Sequence, residues 1–501
     1  MSSHPSRRSS SLHRPALLLL AALALTGLAA ACADPPVAPG NPDDLAFQVL
    51  GGDQQSGPPG AELPLPLIIR ATTATGVPLP GIVVNFHVTS GGGTVYAGAA
   101  LTDHQGRASD YWTLGPDPGP QALEVRVVRS RGVKEVLARF SATAVSTSGW
   151  QGLTAGSFHT CALAGNGQAS CWGDNVAGDL GDGTTTSRLT PTPVLGGVTF
   201  AALSGGYWHS CGLAADGRGY CWGFNAFGDL GDGTTTERHT PTPVAGGHLF
   251  TELESATWGG CGLVSGGTAY CWGNNDYGRL GNGGIIGSTV PVAVAGGLQF
   301  TTLVAGDNHT CALASGGQAW CWGLNNAGQL GDGTLTDRHL PTLVAGGRHF
   351  TRLALGYAFT CGLADGSTYC WGDNRYGNLG DGTLSDRLVP TPLAGSPGFV
   401  ALATGGDHAC GLLPSGAAMC WGRNSDKPGY GGGGQLGDGS TTDRYVPTPV
   451  SGGLGFTTLS LGESHSCGIT GAGAAWCWGN NAQGQLGDGT TTNRLVPTPV
   501  Q

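Results

Sequence analysis

The chain has 501 residues, with 11% charged, 40% hydrophobic, 92 Gly, 30 Pro and 15 Cys. A formal net charge of −10, with lysine only at Lys134 and Lys427, gives a surface that repels phosphate backbones and excludes nucleic-acid binding. The hydrophobic content and a regular repeat argue against disorder and for many short strands joined by tight turns.

The first segment, residues 1–32, reads as targeting rather than fold. Arg7, Arg8 and Arg14 precede the apolar run ALLLLAALALTGLAAAC, which is too short to span a bilayer and ends in small residues and a cysteine. The words Leu28-Ala-Ala-Ala-Cys32 resemble a bacterial lipobox, which implies lipidation of Cys32 and an anchor in a membrane; ordinary signal cleavage nearby is the alternative. Removing three arginines and no acid takes the formal charge from −10 to −13. Residues 33–44, ADPPVAPGNPDD, have the Pro-rich polar composition of an extended tether.

Residues 45–145 alternate apolar and polar side chains between Gly and Pro punctuation. LPLPLIIRATTATG, GIVVNFHVTSGGG, ASDYWTLG and ALEVRVV are predicted strands, at the spacing of a β-sandwich. The words GVPLPGIVVNFHV, TDHQGRASDYWTLG and FSATA resemble bacterial immunoglobulin-like domains of invasin-type surface proteins, which implies a spacer. His87, Asp103 and His104 lack metal-ligand spacing and read as turn and surface residues. Residues 146–149 form a linker.

From residue 150 one unit recurs seven times. Trp150, Phe200, Phe250, Phe300, Phe350, Phe399 and Phe456 hold the same place, at spacings of 50, 50, 50, 50, 49 and 57. Four short strands per unit, in the fourth copy FTTLVAG, HTCALA, QAWCWG and a strand near LPTLV, are expected to form one propeller blade. The expected fold is therefore all-β, a seven-bladed β-propeller with an N-terminal Ig-like β-sandwich. The words HTCAL, CWGxNxxGQLGDGT and PTPV resemble the regulator of chromosome condensation repeat family, whose members include seven-bladed propellers. That resemblance also implies guanyl-nucleotide exchange, but export argues against it, and a fold does not carry its functions with it.

Fourteen cysteines fall two per copy. They are Cys161 with Cys171, Cys211 with Cys221, Cys261 with Cys271, Cys311 with Cys321, Cys361 with Cys370, Cys410 with Cys420, and Cys467 with Cys477. In CGLADGSTYC a two-residue Asp365-Gly366 turn pairs Ala364 with Ser367 and sets Cys361 opposite Cys370, at a non-hydrogen-bonded site. The other copies add one turn residue and recover the same opposition with a bulge. Seven cross-strand disulfides are expected, formed in an oxidising compartment. Zinc is the rival reading, but each pair lacks a second CxxC or a paired His.

His159, His209, His309, His408 and His465 precede the first cysteine of their copies; a bond to loop backbone is the expected role. In GDGT, Asp182, Asp232, Asp332, Asp381, Asp438 and Asp488 mark a turn, each followed by an arginine at fixed offset as its expected partner. No metal, no cofactor and no catalytic motif is read: GxSxG, HExxH and a P-loop are missing. An envelope enzyme with a site on the face or in the channel stays as the alternative, signalled by a unique acidic or histidine cluster in the channel, outside the repeat consensus.

The copies differ most in two loops, one after the first strand and one after CWG, which up-and-down strands put on one face. These loops carry Phe158, Tyr207, Trp208, Phe224, Phe227, Trp258, Tyr277, Tyr357, Tyr376 and, in the insertion of copy six, Tyr430. Exposed aromatics are the anchors of protein interfaces. The expected function is that of an exported, lipid-anchored, monomeric interaction protein that binds a protein or glycan of the envelope through this face.

Overall fold

The computed structural model describes residues 45–501 except 54, 58–61, 64, 116–118, 129–133, 145–148, 396 and 427–431. Cys32, the tether, most of the linker and Tyr430 lie outside the described residues. Two compact units result, the first ending at Thr143 and the second running on from Ala144 to Gln501.

The first unit holds a three-stranded antiparallel sheet of Leu45–Gly51, Leu67–Thr73 and Arg107–Asp110. Its second sheet has five strands, in the order Gln55–Gly57, Lys134–Ala144, Gly119–Val128, Val83–Ser90 and Ala99–Leu101. The alternation read from sequence is visible in burial: Leu67, Ile69 and Ala71, Val84 and Phe86, and Leu123, Val125 and Val127 point inward. Asp103 caps a turn, its Oδ1 accepting from the backbone of Gln105 and Arg107 at 2.8 Å. His87 is exposed.

The second unit contains seven four-stranded antiparallel sheets, each from one repeat and each in sequential strand order. In the fourth, the strands are Phe300–Ala305, His309–Ala314, Ala319–Gly323 and Arg338–Leu343. The ends of all seven first strands surround one central hollow, with Thr154, Ser204, Glu254, Ala305, Leu355, Thr404 and Leu461 on its wall. First strands are thus innermost, and fourth strands form the outer edges. There the recurring prolines, such as Pro191 and Pro193 or Pro497 and Pro499, withhold backbone donors from any added strand.

Seven disulfides are formed, one per blade, in the pairing expected from the turns. Cys161 is bonded to Cys171, Cys211 to Cys221, Cys261 to Cys271 and Cys311 to Cys321. Cys361 is bonded to Cys370, Cys410 to Cys420 and Cys467 to Cys477. Each bridge joins directly opposed residues of the second and third strands, with Cα atoms 4.0–4.1 Å apart. The turns agree with the counting. Asp365 and Gly366 both have positive φ, 51° and 72°, and Ala364 pairs with Ser367. In copy one Ala164 N bonds Gln168 O across a three-residue loop that ends in Gly167 at φ 78°.

Blades are joined by the tryptophan of CWG. Its Nε1 donates to a main-chain carbonyl of the preceding blade at 2.9–3.0 Å in every copy, as from Trp172 to Gln485 and from Trp322 to Arg279. All seven indoles are buried. The last blade meets the first in the same way, and Thr160 Oγ1 of blade one lies 2.9 Å from His465 Nε2 of blade seven. Trp150 begins its own blade, so the ring closes by side-on packing and not by a strand shared between termini.

The GDGT loops are knitted as the sequence spacing suggests. Arg188, Arg238, Arg338, Arg387, Arg444 and Arg494 pair with the loop aspartates at 2.6–2.7 Å. The asparagine of CWGxN, Asn325 in copy four, bonds Asp332 and two loop carbonyls through Nδ2 and accepts from Leu330 N. Copy three replaces the ion pair with Asn282 and Ser288.

The histidines do more than the sequence reading assigned them. His159, His309, His408 and His465 each place Nε2 2.7–2.9 Å from a hydroxyl on the next blade, and only His209 reaches a main-chain carbonyl, that of Gly259. They are interblade links, which a single repeat cannot reveal.

Candidate binding face

Strand direction brings the two variable loops of each blade to one side of the ring, and one hydrogen bond ties them. The N–H after Trp-Gly donates to the carbonyl just before the second strand, as in Phe224 to Trp208 and Arg423 to Asp407, at 2.8–3.0 Å in all seven copies. The glycine of Trp-Gly has φ between 98° and 108°, and a Cβ there would overlap that carbonyl. Trp-Gly is therefore fixed twice, by the latch between blades and by the meeting of the loops.

On this side six of the predicted aromatics form one cluster. Phe158 meets Tyr207 edge-on at 5.2 Å, Tyr207 stacks on Trp258 at 5.7 Å and 16°, and Trp208 lies 5.6 Å from Phe224. Phe227 meets Trp258 edge-on at 5.7 Å. Most of these rings are half-buried against each other, while Phe227, Tyr277 and Tyr357 are 47%, 39% and 45% exposed.

Two adjoining hollows open beside the cluster. One of about 430 Å³ is lined by Phe227, Trp258, Tyr277 and Tyr357, with Arg279, Arg375 and the amides of Asn274, Asn308 and Asn326. The other, about 340 Å³, is lined by Tyr207, Trp258, Tyr357 and Tyr376 with Asp307, Asp407, Glu463, Arg375 and Arg423. The structure thus brings nine of the ten predicted aromatics to one side; Tyr430 is not described.

Sequence reasoning missed the charged residues. Arg423 lies over the Tyr376 ring at 4.4 Å and 3.6 Å from Asp407, Arg279 lies over Tyr277 at 5.6 Å, and Arg375 pairs with Asp373 at 2.9 Å. The available signal was Arg279 in place of the Gln of CWGxNxxGQL, whereas Arg375 and Arg423 stand at positions that the motif leaves open.

Burial dominates the titration of the interior. It pushes His159, His309, His408 and His465 down to about 3 and His209 to about 4, so all five are neutral near pH 7. In the channel it raises the Glu254 carboxyl to about 8, with Glu252 adding repulsion. Among the described residues no three His, Cys, Asp or Glu side chains gather to hold a metal ion.

Two models of the regulator of chromosome condensation (RCC1) repeat match the chain. One covers residues 216–252, 266–313, 316–363, 365–412 and 472–501, and the other 151–179, 200–229, 300–329, 399–427 and 456–485. The chain belongs to the RCC1 repeat family. Solved RCC1-type structures share the fold. Human WBSCR16 is 20% identical, with a TM-score of 0.58 over 67% of this chain and 94% of its own. Yeast RCC1 (Prp20), in a structure bound to Kap60, is 21% identical, with a TM-score of 0.58 over 66% and 83%. Prp20p from Saccharomyces cerevisiae, in a study of its binding to Gsp1p and histones, is 22% identical, with a TM-score of 0.56 over 71% and 88%. No curated protein sequence matches this chain. The propeller carries seven disulfides, which fit an oxidising environment.

Proposed function

We propose that this RCC1-repeat protein is an exported, lipid-anchored interaction module that docks a protein or glycan of the cell envelope on its aromatic loop face. An Ig-like spacer, residues 45–145, holds the propeller away from the membrane, and Cys32 carries the anchor. The observation that carries the reading is the contiguous aromatic cluster on loops that vary between otherwise matching copies, with Phe227, Tyr277 and Tyr357 open to solvent. Rigid blades hold the cluster in place, so little ordering cost is left for binding. The solved relative bound to Kap60 supports the use of such a ring as a protein platform.

The oxidised chain, immobilised, is expected to retain a partner from envelope extract. Trp208→Ala, Trp258→Ala and Tyr277→Ala together should weaken capture by at least about 30-fold, because one central anchor is commonly worth about 2 kcal/mol. Trp208 and Trp258 also pack within the cluster, so a second variant truncates only the exposed Phe227, Tyr277 and Tyr357. Equal capture by wild type and both variants, with unchanged melting, would move the site off this face.

The anchor has its own test. Cys32→Ala should shift the protein from the membrane fraction to the soluble envelope or medium, and abolish incorporation of a labelled fatty acid. Membrane retention of the variant would remove the lipid anchor from the reading.

A further inference from the structure

Arg279 stands where the repeat does not want an arginine. The equivalent residues are Asp179, Asp229, Gln329, Asn378, Gln435 and Gln485, all buried. Where that side chain accepts, it takes the main-chain N–H two residues back. Gln329 Oε1 accepts from Ala327 and Gln485 Oε1 from Gln483, both at 2.9 Å, and Asp229 Oδ2 accepts from Phe227 at 3.1 Å. A guanidinium has no acceptor and cannot do this. Copies two, four and seven make this bond; Asp179, Asn378 and Gln435 leave side-chain oxygens without a partner, and copy three has no acceptor there.

It gains a contact over the Tyr277 ring at 5.6 Å and the attraction of Asp276, Asp307 and Asp229. Arg279 is 5% exposed and forms no ion pair with a carboxylate among the described residues. Its hydrogen bond is a long one, Nη1 to the Asp307 carbonyl at 3.3 Å, and Nε is buried without a partner. A buried guanidinium whose Nε–H lacks a partner is costly unless something completes it. Arg279 is the one cation among the seven equivalent residues.

The guanidinium lines the larger hollow, about 430 Å³, where Arg375, paired with Asp373, is a second cation and Asp276 the lining acid. That volume lies within the range of small-ligand sites, roughly 300–1,000 Å³. We infer that this hollow is a subsite for a carboxylated sugar of an acidic polysaccharide, its carboxylate on Arg279 and its ring against Trp258, Tyr277 and Tyr357. Asn308 offers an amide donor and acceptor for hydroxyl groups, while the amides of Asn274 and Asn326, already bonded to Asp276 and Gln329, keep one further N–H or lone pair each. Asp276 favours a monoanion over a phosphate dianion. A lone Asp or Glu side chain of a docking protein would reach the guanidinium but leave most of the hollow empty. The assignment deepens the proposed use of the aromatic face and rests on it.

The test is titration calorimetry of the full oxidised chain with tetragalacturonate, an alginate tetramer and a hyaluronan tetrasaccharide. Methyl-esterified tetragalacturonate and hexaglutamate serve as comparisons. Wild type is expected to bind at least one acidic oligosaccharide, and to lose roughly 10- to 100-fold on esterification. Arg279→Gln, which copies blade four and restores the local acceptor, should remove that preference without lowering the melting temperature. Binding to none of the three sugars, equal binding by Arg279→Gln, or stronger binding of hexaglutamate would each overturn the inference. If partner capture still depends on the aromatic rings in those cases, the broader reading stands without it.

Discussion

Reduced with a thiol in the absence of denaturant, the propeller is expected to lose its fold. Each bridge closes a short segment of nine or ten residues' separation, and cross-linking a loop of that size removes roughly 2–3 kcal/mol of denatured-chain entropy. Seven such loops sum to roughly 15–20 kcal/mol, more than the whole stability of a typical domain, about 5–15 kcal/mol. The bridges sit between the second and third strands, in the same strands that carry the latch tryptophans and support the binding loops. Replacing a single pair, Cys311→Ser with Cys321→Ser, should cost at most about 2–3 kcal/mol and leave the ring intact. Near-ultraviolet circular dichroism and the urea midpoint read both effects. A fully reduced chain with unchanged tertiary signal would show that the blades stand without their staples.

Acid should unfold the oxidised propeller steeply below about pH 4.5, and the sign follows from the buried histidines. Their folded values, about 3 to 4, lie below the roughly 6.5 of an unfolded histidine. Between those limits the unfolded chain binds up to five more protons, so stability falls as pH falls, by up to roughly 1.4 kcal/mol per pH unit for each histidine. Carboxyls raised by burial oppose this. Asp174, Asp179, Asp229, Glu252, Glu254 and Asp373 hold protons in the folded state at pH values where the unfolded chain has released them. Their stabilising uptake is complete once pH drops through the unfolded carboxyl range, near 4.

Below that point nothing offsets the histidines. The loop aspartates then add to the loss, because Asp182, Asp232, Asp332, Asp381, Asp438 and Asp488 are held below their ordinary value by hydroxyl, arginine and backbone bonds. Stability should therefore change gently from about pH 6.5 to 4.5 and fall sharply from about 4.5 to 3. Urea midpoints followed by tryptophan fluorescence across this range check the shape. His309→Phe copies the buried Phe359 of blade five and should flatten the acid slope by one proton. An unchanged slope in that variant would remove the histidines from the explanation.

Much of the blade was legible because its determinants are close in the chain. The Asp365-Gly366 turn fixes the pairing of its two strands by counting alone, and the opposition of Cys361 and Cys370 follows from the antiparallel register. The Asp–Arg spacing of six residues likewise forecast a loop pair that forms within one copy. The side on which the aromatic loops meet came from strand alternation, again a local property.

What only the tertiary structure decided lies between blades. The Trp322 indole finds its carbonyl 43 residues earlier, and Thr160 meets His465 across 305 residues, so neither contact has a period within one repeat. Ring closure belongs to the same class, since side-on packing of blade seven on blade one uses bonds that every other pair of blades also makes. Arg279 shows the limit most plainly. In the sequence it is one departure from a consensus glutamine. Its significance comes from burial with Nε left without a partner, beside rings contributed by blades two, three and five. Local spacing sets turns and register, because those depend on few bonds. The environment of a buried charge depends on every element that excludes water from it.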